Sequence, residues 1–317
     1  MRAGIIGIGS FLPEKVVHNT ELEKIVETTN EWIVERTGIQ SRRIAEANIS
    51  SSDLGAEAAR LAIENANLKP EDIDMIISAS SSPDCTFPAT ACIIQDKINA
   101  KNAAAFDIQA ACTGFVYGLV TATQYILSGE CKNVLVVGCE VLSKITDWQD
   151  RNTCILFGDG AGAVVVSNVQ QGGIAASILG ADGSGAGLLE VPAGGTREPA
   201  NLESVKNRRH YINMNGNEVF KFAVKVFEES IRKIVNKANL TLDHIDLIIP
   251  HQANVRIIDA AVKRLKFPME RVVVNLDKYG NMSSASIPVA LHEAISMGKI
   301  KRGDKVVLVG FGAGLTW

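Results

Sequence analysis

Two stretches of the chain share one pattern of hydrophobic and polar positions. Residues 53–82 and residues 225–254 each read as an amphipathic helix, a polar turn and an apolar strand, MIISAS in the first and LIIPH in the second. The tripeptide Ala66-Asn67-Leu68 recurs as Ala238-Asn239-Leu240, an offset of 172 residues (238 − 66). Tripeptide, spacing and order together predict an internal duplication. The alternative is a chance likeness between two α/β segments.

The repeated pattern continues on both sides of the chain's midpoint. Residues 103–122 and 271–290 each read as a strand, a short turn and a helix of small residues, and residues 132–141 and 304–313 each read as a buried strand ending in a turn. Alternating strands and helices predict α/β layers, in which helices of small residues can lie between two sheets. We divide the chain into halves 1–170 and 171–317. Residues 28–50, 81–92 and 180–200 are then insertions.

Composition narrows the class of protein. The 317 residues are 46% hydrophobic but only 5% aromatic, which is typical of a core of small aliphatic residues around a buried parallel sheet. The formal net charge of −3 gives no electrostatic case for nucleic acid as the main partner. The apolar stretches are too short for a signal peptide or a membrane span. Six cysteines without CxxC spacing argue against zinc and disulfides, so we expect free thiols and a cytoplasmic protein.

Cys112 is the candidate nucleophile. It follows the apolar strand AAFDI and opens the helix TGFVYGLVTA. We expect the N–H groups at a helix start to lower the pKa of its thiol and favour the thiolate. The alternative is a small buried hydrophobic residue, which is the usual place of a free cysteine.

His251 and Asn281 are the candidate polar partners of Cys112. His251 ends the strand DLIIP, and the carboxyl ends of strands are where α/β sites lie. Asn281 lies in a turn that corresponds, in the repeat, to the turn holding Cys112, so we expect both near one pseudo-twofold axis. The alternatives are a capped or solvated histidine and a helix N-cap asparagine.

Three glycine-rich strings carry weaker signals. Gly7-Ile8-Gly9 lacks the third glycine of a dinucleotide fingerprint, and FGDGAG at 157–162 lacks the Lys-Ser/Thr of a phosphate loop. GFGAG at 310–314 follows a buried strand, and its backbone N–H groups could form half of an oxyanion hole.

Taken in order, AACTGF, HQAN, GNMSSAS and GFGAG, with GIGSFLPEKVVHN at the start, resemble the β-ketoacyl-acyl-carrier-protein synthase III family over essentially the whole chain. The resemblance implies a duplicated thiolase-like fold of five layers, α-β-α-β-α, assembled as a homodimer. It implies a catalytic triad of Cys112, His251 and Asn281. The chain departs from the family at Met282, usually Thr, and at Ala313, usually Gly. Relatives continue for one more short strand beyond the position of Trp317, so we expect either a shortened sequence or a last sheet without that edge strand.

The resemblance also implies the reaction. An acyl-coenzyme A starter, acetyl being the expected one, would acylate Cys112 and then condense with malonyl-acyl-carrier-protein as CO₂ leaves, initiating type II fatty acid synthesis. His251 and Asn281 would donate hydrogen bonds to the enolate, and the N–H groups of Cys112 and Ala313 would hold the acyl oxyanion. Coenzyme A is then a substrate, and neither a cofactor nor a metal is expected.

Further residues have roles by resemblance alone. Trp32 and Arg151 would hold the adenine of coenzyme A between them, Phe87 would reach into the partner subunit's acyl pocket, and Phe311 would lie near the thiol. For the acidic carrier protein we expect a basic patch of Arg256 and Lys263 on one helix face, extended by Lys221 and Arg264. An ordinary solvated face is the alternative.

Other enzymes and a non-enzyme remain as alternatives. A Cys-His-Asn protease has the same residue order, but CTGF stands where papain-like enzymes have their own cysteine signature. Degradative thiolases need a second cysteine, which GFGAG lacks, and chalcone-synthase-like enzymes have longer chains. A non-catalytic scaffold would lack the nucleophile that this chain keeps.

Overall fold

The computed structural model describes residues 1–317 as eleven strands and eleven α-helices joined by short 3₁₀ turns. The strands are β1 (Ala3–Phe11), β2 (Val16–His18), β3 (Ser41–Arg43), β4 (Met75–Ala79), β5 (Ala104–Ile108), β6 (Asn133–Glu140), β7 (Gly160–Asn168), β8 (Leu189–Glu190), β9 (Asn213–Met214), β10 (Leu247–Pro250) and β11 (Val306–Val309). The helices are α1 (Asn19–Leu22), α2 (Asn30–Thr37), α3 (Ser51–Asn65), α4 (Thr90–Lys97), α5 (Gly114–Ser128), α6 (Arg151–Cys154), α7 (Leu202–Lys206), α8 (Gly216–Lys237), α9 (Val255–Leu265), α10 (Leu276–Tyr279) and α11 (Ser286–Ser296).

The first sheet has five strands in the order β1-β7-β6-β4-β5. β4 is parallel to both β5 and β6, while β7 runs antiparallel to β6 and β1. β6 and β7 are rich in valine and are buried along nearly their whole length. Burial on both faces requires such continuous apolar strands, which explains why they lack an alternating polar pattern.

The second sheet repeats part of this order. β10 pairs in parallel with β11, and Ile248 bridges to Val272 on its other side. This matches the arrangement of β6, β4 and β5, and β10 begins 172 residues after β4 (247 − 75). The duplicated fold predicted from the sequence is therefore confirmed, while the division at residue 170 stays a prediction.

Helices α5 and α11 form the central layer. α5 packs on β4 and β6, and α11 packs on β7 of the first sheet and on β10 of the second. One core cluster accordingly joins Ile77, Phe115, Ile249 and Ile287. α3 and α4 cover the outer face of the first sheet, and α8 and α9 cover that of the second, which completes the five layers. No helix has the length and apolar character needed to cross a membrane.

The turns that precede the two central helices also correspond. Ala111 and Ser283, 172 residues apart, both have the left-handed backbone conformation that side chains rarely adopt, with φ of 46° and 42°. Cys112 therefore corresponds to Ser284. Asn281 lies three residues before Ser284, just after the short helix α10. Asn281 is consequently not the counterpart of Cys112, although the two turns correspond as predicted.

Close contact between β6 and the Ser283–Ala285 turn depends on Gly138. A Cβ atom at this position would lie 2.5 Å from the carbonyl oxygen of Ser284. We expect Gly138→Ala to lower the free energy of unfolding by ~1–3 kcal/mol, because backbone must move to admit the methyl group. Urea unfolding measures this. Gly187→Ala is the control, since a Cβ there meets nothing within 4 Å. Equal stability of the two variants would contradict the close packing described.

Candidate active site

A cavity of about 1140 Å³ leads from the surface to the ends of the central helices. Cys112, His251, Asn281, Phe311 and Gly312 line its buried end. The structure thus brings together the three residues predicted to form the triad. They come from three separate places: the start of α5, the end of β10 and the turn before α11.

Cys112 is fixed by the last residues of the chain. A Cβ on Gly312 would lie 2.8 Å from the Cβ of Cys112 and 3.2 Å from its Sγ, so the close approach requires glycine. The hydroxyl of Thr113 donates to the carbonyl of Thr316 at 3.2 Å, and the hydroxyl of Thr316 donates to the carbonyl of Ala110 at 3.1 Å. These contacts hold the segment 312–316 against the turn that carries the thiol.

The thiol of Cys112 is less acidic than the sequence led us to expect. Burial raises its pKa to about 12; a hydrogen bond from Ser283 lowers it, and the negative charge of Glu140 raises it further. The expectation of a lowered pKa was therefore wrong. The helix start is present, but a thiolate in so buried a place loses its hydration, and burial outweighs the hydrogen bond.

His251 is held in a neutral, buried position. Its backbone N–H donates to the carbonyl of Val309 at 2.8 Å, and its Nδ1 lies 2.7 Å from the Oγ of Ser286. The ring of Phe311 packs edge-on at 5.3 Å between centroids. Burial lowers the pKa of His251 to about 3, so the imidazole is neutral at physiological pH.

Asn281 is oriented by its backbone and its side-chain oxygen. Its N–H donates to the carbonyl of Leu156 at 2.8 Å, and its carbonyl accepts from the N–H of Gly158 at 3.0 Å. Its Oδ1 accepts from the N–H of Ser283 at 2.9 Å, a local contact two residues along the turn. The N-cap positions of the 3₁₀ turn and of α11 are Met282 and Ala285, so the N-cap alternative for Asn281 is wrong. The Nδ2 group remains free to donate in the cavity that Asn281 lines.

The FGDGAG string at 157–162 helps to position the turn that carries Asn281. A Cβ on Gly158 would lie 2.2 Å from the carbonyl oxygen of Tyr279. Glycine there lets the segment approach the Asn281 turn. In the other glycine string, the N–H of Gly312 donates to Thr316, whereas the N–H of Ala313 has no backbone acceptor. Ala313 therefore keeps a free donor, as its predicted oxyanion role requires.

Trp32 and Arg151 lie together but leave no gap for a ring. The guanidinium of Arg151 stacks on the indole at 3.9 Å from its centroid, and Arg36 lies 5.5 Å away. Stacked carbon atoms need ~3.5–4.0 Å on each face, so a flat ligand would enter between them only after Arg151 moves. The Nε of Arg151 is buried without a hydrogen-bond partner.

Of the other residues predicted to bind substrate or carrier protein, some line the cavity and some do not. Phe311 lies in the site beside His251, whereas Phe87 is 83% exposed and does not line the cavity. Arg256 is exposed at the cavity and stacks near Phe220 at 5.9 Å. Lys263 and Arg264 are exposed on the same helix, and Lys221 pairs with Glu218 at 2.7 Å. Of these four basic residues, only Arg256 lines the cavity.

Sequence reasoning missed three buried polar residues around the triad. Glu140 ends β6 and is enclosed by serine donors, Ser283 acts to lower the pKa of the Cys112 thiol, and Ser286 contacts His251. Two features of the sequence point to these residues. An acid closes the apolar strand NVLVVGCE, and the serines of MSSAS precede the apolar stretch IPVAL at 287–291.

The raised pKa of the Cys112 thiol has a direct consequence for its reactivity. Alkylating agents react with the thiolate, whose fraction rises about tenfold per pH unit below the pKa. We therefore expect the rate of iodoacetamide alkylation at Cys112 to rise about tenfold per unit from about pH 7 to pH 10, without a plateau. Mass spectrometry of the Cys112 peptide gives the rate. A plateau near neutral pH would indicate a stabilised thiolate and contradict the neutral resting site.

Comparison with known proteins identifies the family of this chain. Residues 106–183 match the model of 3-oxoacyl-[acyl-carrier-protein] synthase III, and residues 235–317 match that of its C-terminal part. The chain is 57% identical over 316 residues to the β-ketoacyl-[acyl-carrier-protein] synthase III of Caldanaerobacter subterraneus subsp. tengcongensis, covering 99% of this chain and 96% of the relative. It is 55% identical over 316 residues to the synthase III of Clostridioides difficile, covering 100% and 96%.

A solved structure extends the likeness to three dimensions. The 3-oxoacyl-[acyl-carrier-protein] synthase III of Aquifex aeolicus superposes with a TM-score of 0.92 at 48% identity, covering 99% of this chain and 97% of that one. Fold, sequence and site geometry therefore lead to one conclusion: the chain belongs to the β-ketoacyl-acyl-carrier-protein synthase III family.

Proposed function

We propose that this protein performs the condensation typical of its family through Cys112, His251 and Asn281. The reaction joins an acyl-coenzyme A starter to malonyl-acyl-carrier-protein and gives a 3-oxoacyl-acyl-carrier-protein, coenzyme A and CO₂. The observation that carries the assignment is the meeting of a thiol, an imidazole and a free amide N–H₂ at the buried end of one cavity. No such meeting is needed for stability, because burying polar groups costs free energy unless they are paired.

In the first half-reaction the thiolate of Cys112 attacks the starter thioester and coenzyme A leaves. The acyl oxyanion accepts hydrogen bonds from the backbone N–H of Cys112 and from that of Ala313, which has no other acceptor. The resting thiol has to lose its proton first, and the nearby neutral imidazole of His251 is the base available in the cavity.

In the second half-reaction loss of CO₂ from the malonyl group leaves an enolate. The Nδ2 of Asn281 donates to its oxygen, and the amide cannot turn away because its Oδ1 is held by Ser283 at 2.9 Å. His251 adds a second donor at Nε2 when that nitrogen carries a proton. The enolate carbon then attacks the acyl group on Cys112, and the thiolate leaves.

The acyl-coenzyme A and the malonyl-carrier-protein reach the thiol of Cys112 through the same cavity. The nucleotide of coenzyme A stacks on Trp32 once Arg151 moves aside, and the acidic carrier protein docks beside Arg256 at the cavity rim.

We also propose a homodimer. β5 is an edge strand with exposed residues, and Phe87 stands 83% exposed on a nearby loop, where a second subunit would cover both.

The covalent step gives the direct test. Incubation with labelled acetyl-coenzyme A should place the label on the Cys112 peptide, and Cys112→Ala should carry none. Cys139→Ala, which alters another fully buried cysteine, should label normally. Asn281→Ala should also label normally yet lose malonyl decarboxylation by ~10²–10³, the usual effect of removing one oxyanion donor. Label on another residue would falsify the assignment of the nucleophile.

Two variants test whether acyl-coenzyme A and malonyl-carrier-protein bind at separate parts of the cavity rim. Trp32→Ala should raise the KM for acetyl-coenzyme A by ~2–30-fold, as expected for a lost stacking contact of ~0.5–2 kcal/mol, and leave the KM for malonyl-carrier-protein unchanged. Arg256→Glu should do the opposite, because it places a negative charge against an acidic partner. Steady-state kinetics with each substrate varied in turn measures both.

The control for the charge reversal is Arg302→Glu. Arg302 is exposed before β11, at the end of the strand away from the cavity. It should change neither KM. If Arg256→Glu and Trp32→Ala raise both KM values alike, the two substrates do not use separate parts of the cavity rim.

A further inference from the structure

We propose that Ser286 is a positioning residue that fixes the tautomer of His251, so that Nε2 is a proton acceptor toward Cys112 in the resting enzyme. This inference rests on the proposed function, since it assigns His251 its part in the first half-reaction. It concerns which of the two ring nitrogens carries the hydrogen, which follows from the hydrogen bonds around the ring.

Three contacts meet at the Oγ of Ser286. The Nδ1 of His251 lies at 2.7 Å, the carbonyl oxygen of Ser283 at 2.9 Å and the backbone nitrogen of Gln252 at 3.4 Å. A serine hydroxyl has one hydrogen to donate and two lone pairs. The carbonyl can only accept, so the hydroxyl hydrogen goes to Ser283. The lone pairs then face the N–H of Gln252 and the Nδ1 of His251.

The Nδ1 of His251 must therefore carry a hydrogen and donate it to Ser286. In the opposite arrangement the hydroxyl would donate to Nδ1, and the oxygens of Ser286 and Ser283 would face each other at 2.9 Å without a hydrogen between them. His251, Ser283 and Ser286 are all almost fully buried. An acceptor left unpaired in such a place costs about 1–3 kcal/mol. The Nδ1–H tautomer is the one that satisfies every group.

A neutral imidazole with hydrogen on Nδ1 has a lone pair on Nε2. That nitrogen can take the proton of the Cys112 thiol as the Sγ–C bond to the starter forms. The same proton then passes to the sulfur of coenzyme A as its bond to the acyl carbon breaks, so coenzyme A leaves as a thiol and His251 returns to its neutral form. No further group has to donate or accept a proton in this half-reaction.

The second half-reaction then requires one proton from water. Condensation consumes a proton per turnover, because the malonyl carboxylate leaves as neutral CO₂ while coenzyme A leaves as a thiol. A proton that enters on Nε2 makes His251 a donor to the enolate oxygen. It ends on the Cys112 sulfur when the new carbon–carbon bond forms, which restores the resting thiol. Ser286 keeps Nδ1–H engaged throughout, so Nε2 is the nitrogen that exchanges protons.

The tautomer can be read directly by ¹⁵N NMR of the full-length protein labelled at histidine. The chain has five histidines, and the His251→Ala variant identifies the signals of His251. In the unliganded wild type we expect a protonated-type shift at Nδ1 and an unprotonated-type shift at Nε2. A protonated Nε2 in the wild type overturns the proposal, whatever any variant does.

Kinetics of variants gives the second measurement. Ser286→Ala should move the His251 hydrogen toward Nε2 and slow acyl-enzyme formation by ~10²-fold or more, the usual contribution of a positioned base. Ser286→Thr keeps the hydroxyl and should recover both the Nδ1–H tautomer and most of the rate. Ser230→Ala, a buried serine on α8 away from the site, controls for the substitution itself.

The outcomes separate this inference from the assignment of the nucleophile. If Cys112 takes the acetyl label but Ser286→Ala acylates at the wild-type rate, the role of Ser286 is wrong and the proposed function stands. If Cys112 takes no label in the wild type, the proposed function fails first.

Discussion

The buried carboxylate of Glu140 ties together the turn before α11, in which Asn281 lies, and the turn that follows β4. It accepts from the N–H groups of Ser81 and Ser82 at 2.9–3.1 Å and from the hydroxyl of Ser284 at 2.8 Å. The first two serines follow β4 in the first sheet, and Ser284 precedes α11. Burial raises the pKa of Glu140 and the serine hydrogen bonds lower it. Removing one side of such a buried charged network is commonly worth ~3–5 kcal/mol, so the turns are not free to separate.

That same carboxylate sets a condition for the chemistry. Its charge acts with burial to raise the pKa of Cys112, and burial alone lowers the pKa of His251. Both effects disfavour a standing thiolate–imidazolium pair. Cys112 and His251 are therefore both neutral at physiological pH, and charge on either develops only as bonds change. Fixed donors, the role proposed for the N–H of Ala313 and the amide of Asn281, suit a site in which charge appears only during the reaction, because they need no reorganisation at that moment.

The sequence was enough to predict the duplication, the layers and the three residues that meet in the cavity, because those follow from periodic patterns and ordered motifs. It was not enough for properties that arise only from packing. The pKa of Cys112 depends on burial by segments distant in the chain, and the contact of Arg151 with Trp32 depends on a side-chain conformation. Ser286 was visible in MSSAS, but its partner His251 lies 35 residues away and the hydrogen positions follow from the folded network.

The two halves show how a symmetric scaffold comes to carry one site instead of two. At an offset of 172, His251 and Ser286 correspond to Ala79 and Gly114, and a Cβ on Gly114 would lie 2.8 Å from that of Ala79. In the first half Ala79 and Gly114 therefore pack tightly at the positions where His251 and Ser286 form a hydrogen bond in the second half. At Glu140 and its counterpart Gly312 the polar residue is in the first half and the small one is in the second. Glu140 holds Ser284 by a hydrogen bond, whereas Gly312 makes room for Cys112, the counterpart of Ser284. A carboxylate at position 312 would face the thiol of Cys112 directly, so the first half keeps the acid that holds Ser284 and the second half has glycine in its place.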